Sequence, residues 1–332
     1  MSHPPTHRQV QVVRDGSLAV LVGVLAVIQA RINGELAVRV SSGFEAAAVS
    51  FGAGFVMLAV VVLVNPGSRT GLRRLQRRVL GRVPPRLPWW AMLGGVGGAM
   101  FVAAQGLVVP TLGVALFTVA VVAGQTGNSL VADRLGVGPG GRRPVTGPRV
   151  VAAVLCVAGV ALAVQGGITD GSFAPALVLF AMAAGALVAF QQGLNGRVAV
   201  AAGNPLVAAM VNFTVGLAVL SVIATVVELF DGKPFVPPPA IWSDPVLWLG
   251  GPIGVVFVTV AAFAVRGLGV LLFSLLTIVG QLLGGLGVDL VAPANAGQSI
   301  SWQIFAAVGL SILATALAFL GSGMRRPSPA PH

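Results

Sequence analysis

The stretch "IQARINGELA" (residues 28–37) breaks a long apolar run with a glutamine, an asparagine, two charges and a glycine. "FQQGLNGRVA" (190–199) echoes it without a gap: Gln29 matches Gln191 and Asn33 matches Asn195, both 162 residues apart (191 − 29; 195 − 33). The same offset joins Phe51 to Phe213 and Gly54 to Gly216. A second block follows at a smaller offset. "LGVALFT" (112–118) matches "LGVLLFS" (268–274), Gln125 matches Gln281, and Asp133 matches Asp289, each 156 apart (281 − 125). Matches held in register over this length describe an internal repeat.

The setting of these stretches defines the class of protein. Over 332 residues, 56% are hydrophobic and 9% charged, with a mean hydropathy of +0.94. A compact globule cannot hide that much apolar surface from water, whereas a bilayer solvates it. The net charge of +11 therefore concerns topology and not a nucleic-acid partner. The single cysteine, Cys156, lies in an apolar span and reads as a packing residue. The first apolar span is expected to be a retained anchor, since no small-residue cleavage site follows it.

A crossing helix needs about 20 apolar residues. On that measure about ten transmembrane helices are expected, at 18–40, 46–65, 89–109, 112–132, 149–167, 174–200, 205–228, 245–265, 268–289 and 301–321. "PTLG" (110–113) divides the charge-free stretch 87–132 into two. With both termini cytoplasmic, 17 of the 20 basic residues fall inside, among them Arg8, Arg14, Arg69 to Arg86, Arg134, Arg143, Arg149, Arg197, Arg266, Arg325 and Arg326. Glu45, Asp170, Asp231, Asp244 and Asp289 fall outside, as positive-inside topology requires. Tyrosine is absent, and Trp89, Trp90, Trp242, Trp248 and Trp302 stand at span ends. The arginine-rich linker 65–88 is a topology determinant, or a short amphipathic segment on the anionic inner surface.

Five spans per repeat make the two copies enter the bilayer from opposite sides. The expected fold is thus all-α, an integral membrane protein of two inverted five-helix repeats, 18–169 and 170–322, with cytoplasmic tails 1–17 and 323–332. Many secondary transporters are built this way, with their site near the midplane between repeats.

The chain resembles the drug/metabolite transporter superfamily. "Q-x-x-x-N-G" in the first span of each half, followed by Ser50-Phe51…Gly54 and Asn212-Phe213…Gly216, is similar to the YdcZ-like family of bacterial inner-membrane exporters. Here it takes the form of a fused duplication of the five-span unit. The resemblance implies that spans one, three, four, six, eight and nine surround a central cavity, with five and ten peripheral.

Gln29 and Asn33 share one helical stripe, as do Gln191 and Asn195. Buried amides must find partners, so they either join helices or line a wet cavity. The symmetric placement favours the cavity. Candidate substrate-binding residues are Gln29, Asn33, Gln105, Gln125, Asn128, Gln191, Gln192, Asn195 and Gln281, with Thr118, Ser274 and Thr277 as further lining. Gly34 and Gly196 would permit unwinding of the helix, or else close backbone packing. Arg31 and Glu35 lie about 20 Å and 26 Å into the first span at 1.5 Å per residue. As intramembrane ionisable groups they are candidates for proton coupling or gating, unless Arg31, Glu35 and Arg39 neutralise one another. Asp133 and Asp289 end repeat-related spans, as gates or caps.

The three histidines, His3, His7 and His332, lie in the tails, and the acids form no catalytic pair or metal cluster, so neither an enzyme nor a cofactor is expected. No P-loop is present, which excludes ATP-driven transport by this chain alone. The reading is a secondary active transporter that exports a small organic solute, metabolite or drug, by alternating access. The alternative is a lipid or polyprenyl-carrier flippase of the same architecture. Its partners are the bilayer, a small-molecule substrate and a coupling proton, and it is compatible with a homodimer.

Overall fold

The computed structural model describes the backbone of residues 7–139, 141–142, 144–169, 174–231, 235–292 and 301–323. The side chains of 7–12, 166–169, 231, 258, 261–272, 274 and 318–323 lie outside that description, and with them Arg8, Asp231, Arg266 and Ser274. Arg143, Asp170, Arg325, Arg326 and the three histidine side chains also lie outside it.

Among the described residues all regular structure is helical. The helices are α1 (His7–Val40), α2 (Gly43–Val64), α3 (Pro66–Val79), α4 (Gly94–Leu135), α5 (Gly147–Thr169), α6 (Pro175–Ala202), α7 (Pro205–Asp231), α8 (Gly250–Val291) and α9 (Trp302–Gly323). Short 3-10 turns, Trp89–Leu93 and Pro245–Leu249, lead into α4 and α8. Among the described residues six helical stretches are long and apolar enough to cross a membrane, and Pro245–Phe257, Leu275–Val291 and Trp302–Leu317 are shorter apolar helices.

α1 is already helical from His7, so the tail segment 1–17 includes its first turns. No proline stands between Pro5 and Pro66, and Arg8, Gln9, Gln11 and Arg14 favour a helix, so α1 extends past the apolar span. Of the two readings of Gly34 and Gly196 the structure favours close packing over unwinding, since α1 and α6 run helical through both. A Cβ at Gly34 would press on Val109, and one at Gly196 on Pro139. Close packing is what these glycines serve.

The expected division near "PTLG" is present as a break inside α4. Gly113 has φ 78° and ψ 170°, a region essentially reserved for glycine. The α1–α2 turn likewise passes through Ser41 at φ 58°, and its repeat mate Gly203 has φ 68°. Both close a helix through the left-handed region.

The helices pair in a pattern that survives exchange of the two halves. α1 runs along α8 and α6 along α4, while α2 meets α7 and α5 meets α9. Glycines set the crossings. A Cβ on Gly23 would strike the carbonyl of Thr277, and one on Gly280 that of Val20. The repeat mates Gly185 and Gly124 meet the carbonyls of Val121 and Met182 in the same way. Such small-residue contacts let backbones approach closely where no hydrophobic drive exists between helices in lipid. Phe51 and Phe213, mates across the repeat, contact each other with ring centroids 4.8 Å apart. α4 carries the centre of the core: 83% of its most apolar window is buried, against 28% for α6.

α3 is the short amphipathic helix anticipated in the linker. Asn65 caps its start by accepting from Gly67 and Ser68 N–H at 2.9 and 3.2 Å. Ser68, Gly71 and Leu75 face inward, while Arg69, Arg73, Arg74 and Arg77 are exposed.

Candidate functional site

Gln29 and Asn33 lie where α1 crosses the start of α8. Gln29 Nε2 donates to the Gly250 carbonyl at 2.9 Å, and Asn33 Nδ2 donates to Gln105 Oε1 at 2.6 Å. Gln29, Asn33, Ser50 and Gln105 are all at most 3% exposed. α8 offers glycine here for a steric reason. A Cβ at Gly250 would lie 2.9 Å from Ser50 Oγ and also strike the Asn33 amide oxygen, and one at Gly254 would lie 2.8 Å from Gln29 Nε2. Gln29 Oε1, Asn33 Oδ1, Ser50 Oγ and Gln105 Nε2 have no hydrogen-bond partner. Four orphaned polar atoms in one buried cluster are costly, which leaves this junction only partly satisfied.

The mate of this cluster joins α6 to the start of α4, against Gly94 and Gly98 of "GGVGG". It is looser. Gln191 and Asn195 are half-buried, and Asn212 Nδ2 donates to Asn195 Oδ1 at 3.3 Å. A Cβ at Gly98 would lie 2.9 Å from Gln191 Nε2 and 3.0 Å from Asn212 Oδ1. Thus the amide faces meet glycine faces of the opposite half, and one of the two junctions is tighter than the other.

Between them α1, α4 and α8 leave a small, partly open pocket of about 10 Å³, lined in part by Phe101, Phe117, Thr118 and Gln281. That is room for roughly one water. Gln281 Oε1 and its mate Gln125 Oε1 are buried without partners, as is Thr277 Oγ1. Asn128 Nδ2 instead ties α4 to α6 through the Ala186 carbonyl at 2.7 Å, and Gln192 is exposed away from these clusters. Of the nine candidate binding residues, Gln29, Asn33 and Gln105 are therefore brought together, Gln191 and Asn195 form the mate, and Gln281 lines the centre.

The charged candidates separate into different environments. Glu35 sits between Arg31 and Arg39, at 3.5 and 3.1 Å, on the partly exposed face of α1. Arg31 Nε also donates to the Ala292 carbonyl at 3.4 Å, at the end of α8. Arg197 caps the repeat-related Gly136 carbonyl and lies 5.2 Å over the Trp90 ring. An exposed ion ladder of this kind contributes little. Glu35→Gln should accordingly shift stability by less than about 1 kcal/mol, read as a thermal midpoint in detergent close to wild type.

Asp289 and Asp133, matched in sequence, are not matched in role. Asp289 accepts from Val114 N–H at 3.0 Å and Ala115 N–H at 2.6 Å, capping the half-helix that restarts after Gly113. Asp133 instead pairs with Arg149 at 2.7 Å. One acid escaped the sequence reading: Glu228, which shares a cleft with Glu45. Its signal was the stripe Leu217, Ser221, Thr225 and Glu228 on one face of α7.

Apolar helices of crossing length, joined through buried amides and glycines instead of a polar shell, mark an integral membrane protein. A family model described as "Putative inner membrane exporter, YdcZ" matches residues 16–162 and again 176–319, and the chain belongs to that family. It is an inner-membrane protein of the exporter class, and the family's unit occurs twice in it. A solved chain described as "Crystal structure of protein" is similar over 92% of this chain and 98% of its own, at 22% identity and a TM-score of 0.53, a likeness of fold alone. No curated protein matches the chain.

Proposed function

We propose that the protein is a secondary active transporter that exports a small organic solute by alternating access between two inverted five-span repeats. The observation that carries this reading is the pair of amide junctions. The same residues at the same offsets, Gln29 with Asn33 and Gln191 with Asn195, fasten each half's first helix to the other half's glycine face. One junction is buried and holds hydrogen bonds of 2.9 and 2.6 Å, the other is half-buried and holds one of 3.3 Å. Two equivalent latches at opposite ends, only one of them tight, are what an alternating gate requires. The small central cavity, with Gln281 and Thr118 on its wall, is the place where a solute would be held once a latch opens.

With ten spans the Gln29 latch faces outward and the Gln191 latch inward, and both termini are cytoplasmic. Glu35, at the outer end of α1, is the group assigned to proton exchange in this scheme.

Reconstituted protein on a solid-supported membrane tests the scheme against a metabolite and drug panel, with and without a pH gradient. Gln29→Ala is expected to reduce currents at least tenfold, because an alanine cannot close the outer latch. Gln191→Ala should do the same from the inner side, and Glu35→Gln should uncouple currents from pH. Full currents in both alanine variants would reduce the amides to helix packing. Labelled lipid crossing the bilayer with no solute current would install the flippase in place of the exporter.

A further inference from the structure

We propose that a cleft between the start of α2 and the C-terminal part of α7 binds a small amphiphilic ammonium ion. The cleft measures about 310 Å³. Glu45 lies in the first turn of α2 and is 8% exposed. Among the described residues its carboxylate accepts no hydrogen bond and joins no ion pair, and the charge that bears on it is the like charge of Glu228. Glu228 commits one oxygen, Oε1, to the Phe235 N–H at 3.3 Å. Ser221 and Thr225 bring hydroxyls to the same wall, while Leu217 and Phe235 make it apolar.

A buried carboxylate without a partner is costly, and a second carboxylate nearby adds repulsion. A cation between them relieves both. The space is far larger than a bare ion needs. Among the described residues no group of three or more acids, histidines or cysteines could hold a metal. An ammonium head with N–H donors satisfies the carboxylates and hydroxyls, and its hydrocarbon body fits the apolar wall. The site occurs once, since Val207 and Pro66 stand at the repeat-related positions (45 + 162; 228 − 162). It is separate from the amide latches and stands or falls independently of the transport reading.

Equilibrium dialysis of radiolabelled phenethylammonium tests it, using the full chain in phosphatidylcholine nanodiscs and subtracting empty discs. The expected result is one saturable site per chain, at least tenfold weaker in Glu45→Gln and in Glu228→Gln. The neutral 2-phenylethanol should show no saturable binding. Leu217→Trp fills the cleft without altering charge and should abolish binding, which keeps the test decisive if Glu45→Gln fails to fold. No saturable binding by the wild type, unchanged affinity in the glutamine variants, or unchanged affinity in Leu217→Trp would each overturn the proposal.

Discussion

Gly280→Val lowers the thermal midpoint of the detergent-solubilised protein by roughly 5 °C or more, an overpacking cost of about 3 kcal/mol. At Gly280 a side chain meets the Val20 carbonyl, and in return Gly23 of α1 packs on the carbonyl of Thr277. Neither contact ends on a flexible side chain that could swing away. The two helices must separate along their shared length, which is among the most extensive contacts of the fold. Gly287→Val in the same helix is the control: nothing lies within 4 Å of its Cβ position, and the midpoint should stay within about 1 °C. Gly124→Val, at the repeat-related position against Met182 of α6, should be as damaging as Gly280→Val. Equal midpoints for Gly280→Val and Gly287→Val would show that the crossing is not set by these glycines.

Asp289→Ala costs about 3 kcal/mol, while Asp133→Ala costs about 1 kcal/mol or less. The difference lies in what each removal leaves behind. Without Asp289 the Val114 and Ala115 N–H groups, both buried, lose their acceptors at the start of a half-helix. In a dry interior no water replaces them. Without Asp133, Arg149 loses one partner in a partly exposed setting. Asp289→Asn keeps one acceptor oxygen and should fall between the two, measured as midpoints in one detergent. Matching losses for the two alanine variants would mean that the cap at Gly113 contributes no more than a surface pair.

This contrast shows where the sequence is and is not legible. The register of the repeat can be read from matched spacings, and the break near Gly113 from the proline and glycine of "PTLG" in a stretch too long for one span. The membrane class can be read because no other solvent accepts this composition. The divergence of Asp133 from Asp289 cannot be read. Both end matched segments, and only the fold brings one to a broken helix and the other to an arginine. Glu228 is illegible for a similar reason, since an acid near a span end is ordinary until α2 places Glu45 beside it.

The amides make the same point at the site. Their periodicity establishes that each pair shares a face, but a polar face within a span can turn toward a neighbouring helix or toward water. The tertiary structure decided between these by seating Gln29 and Asn33 on Gly250 and Gly254 while leaving Gln191 and Asn195 half-exposed. Two copies of one motif thus occupy unequal environments. Sequence symmetry is a property of the chain and is present in both halves at once. Burial is a property of the whole assembly of helices, which here closes fully around Gln29 and Asn33 and only in part around Gln191 and Asn195.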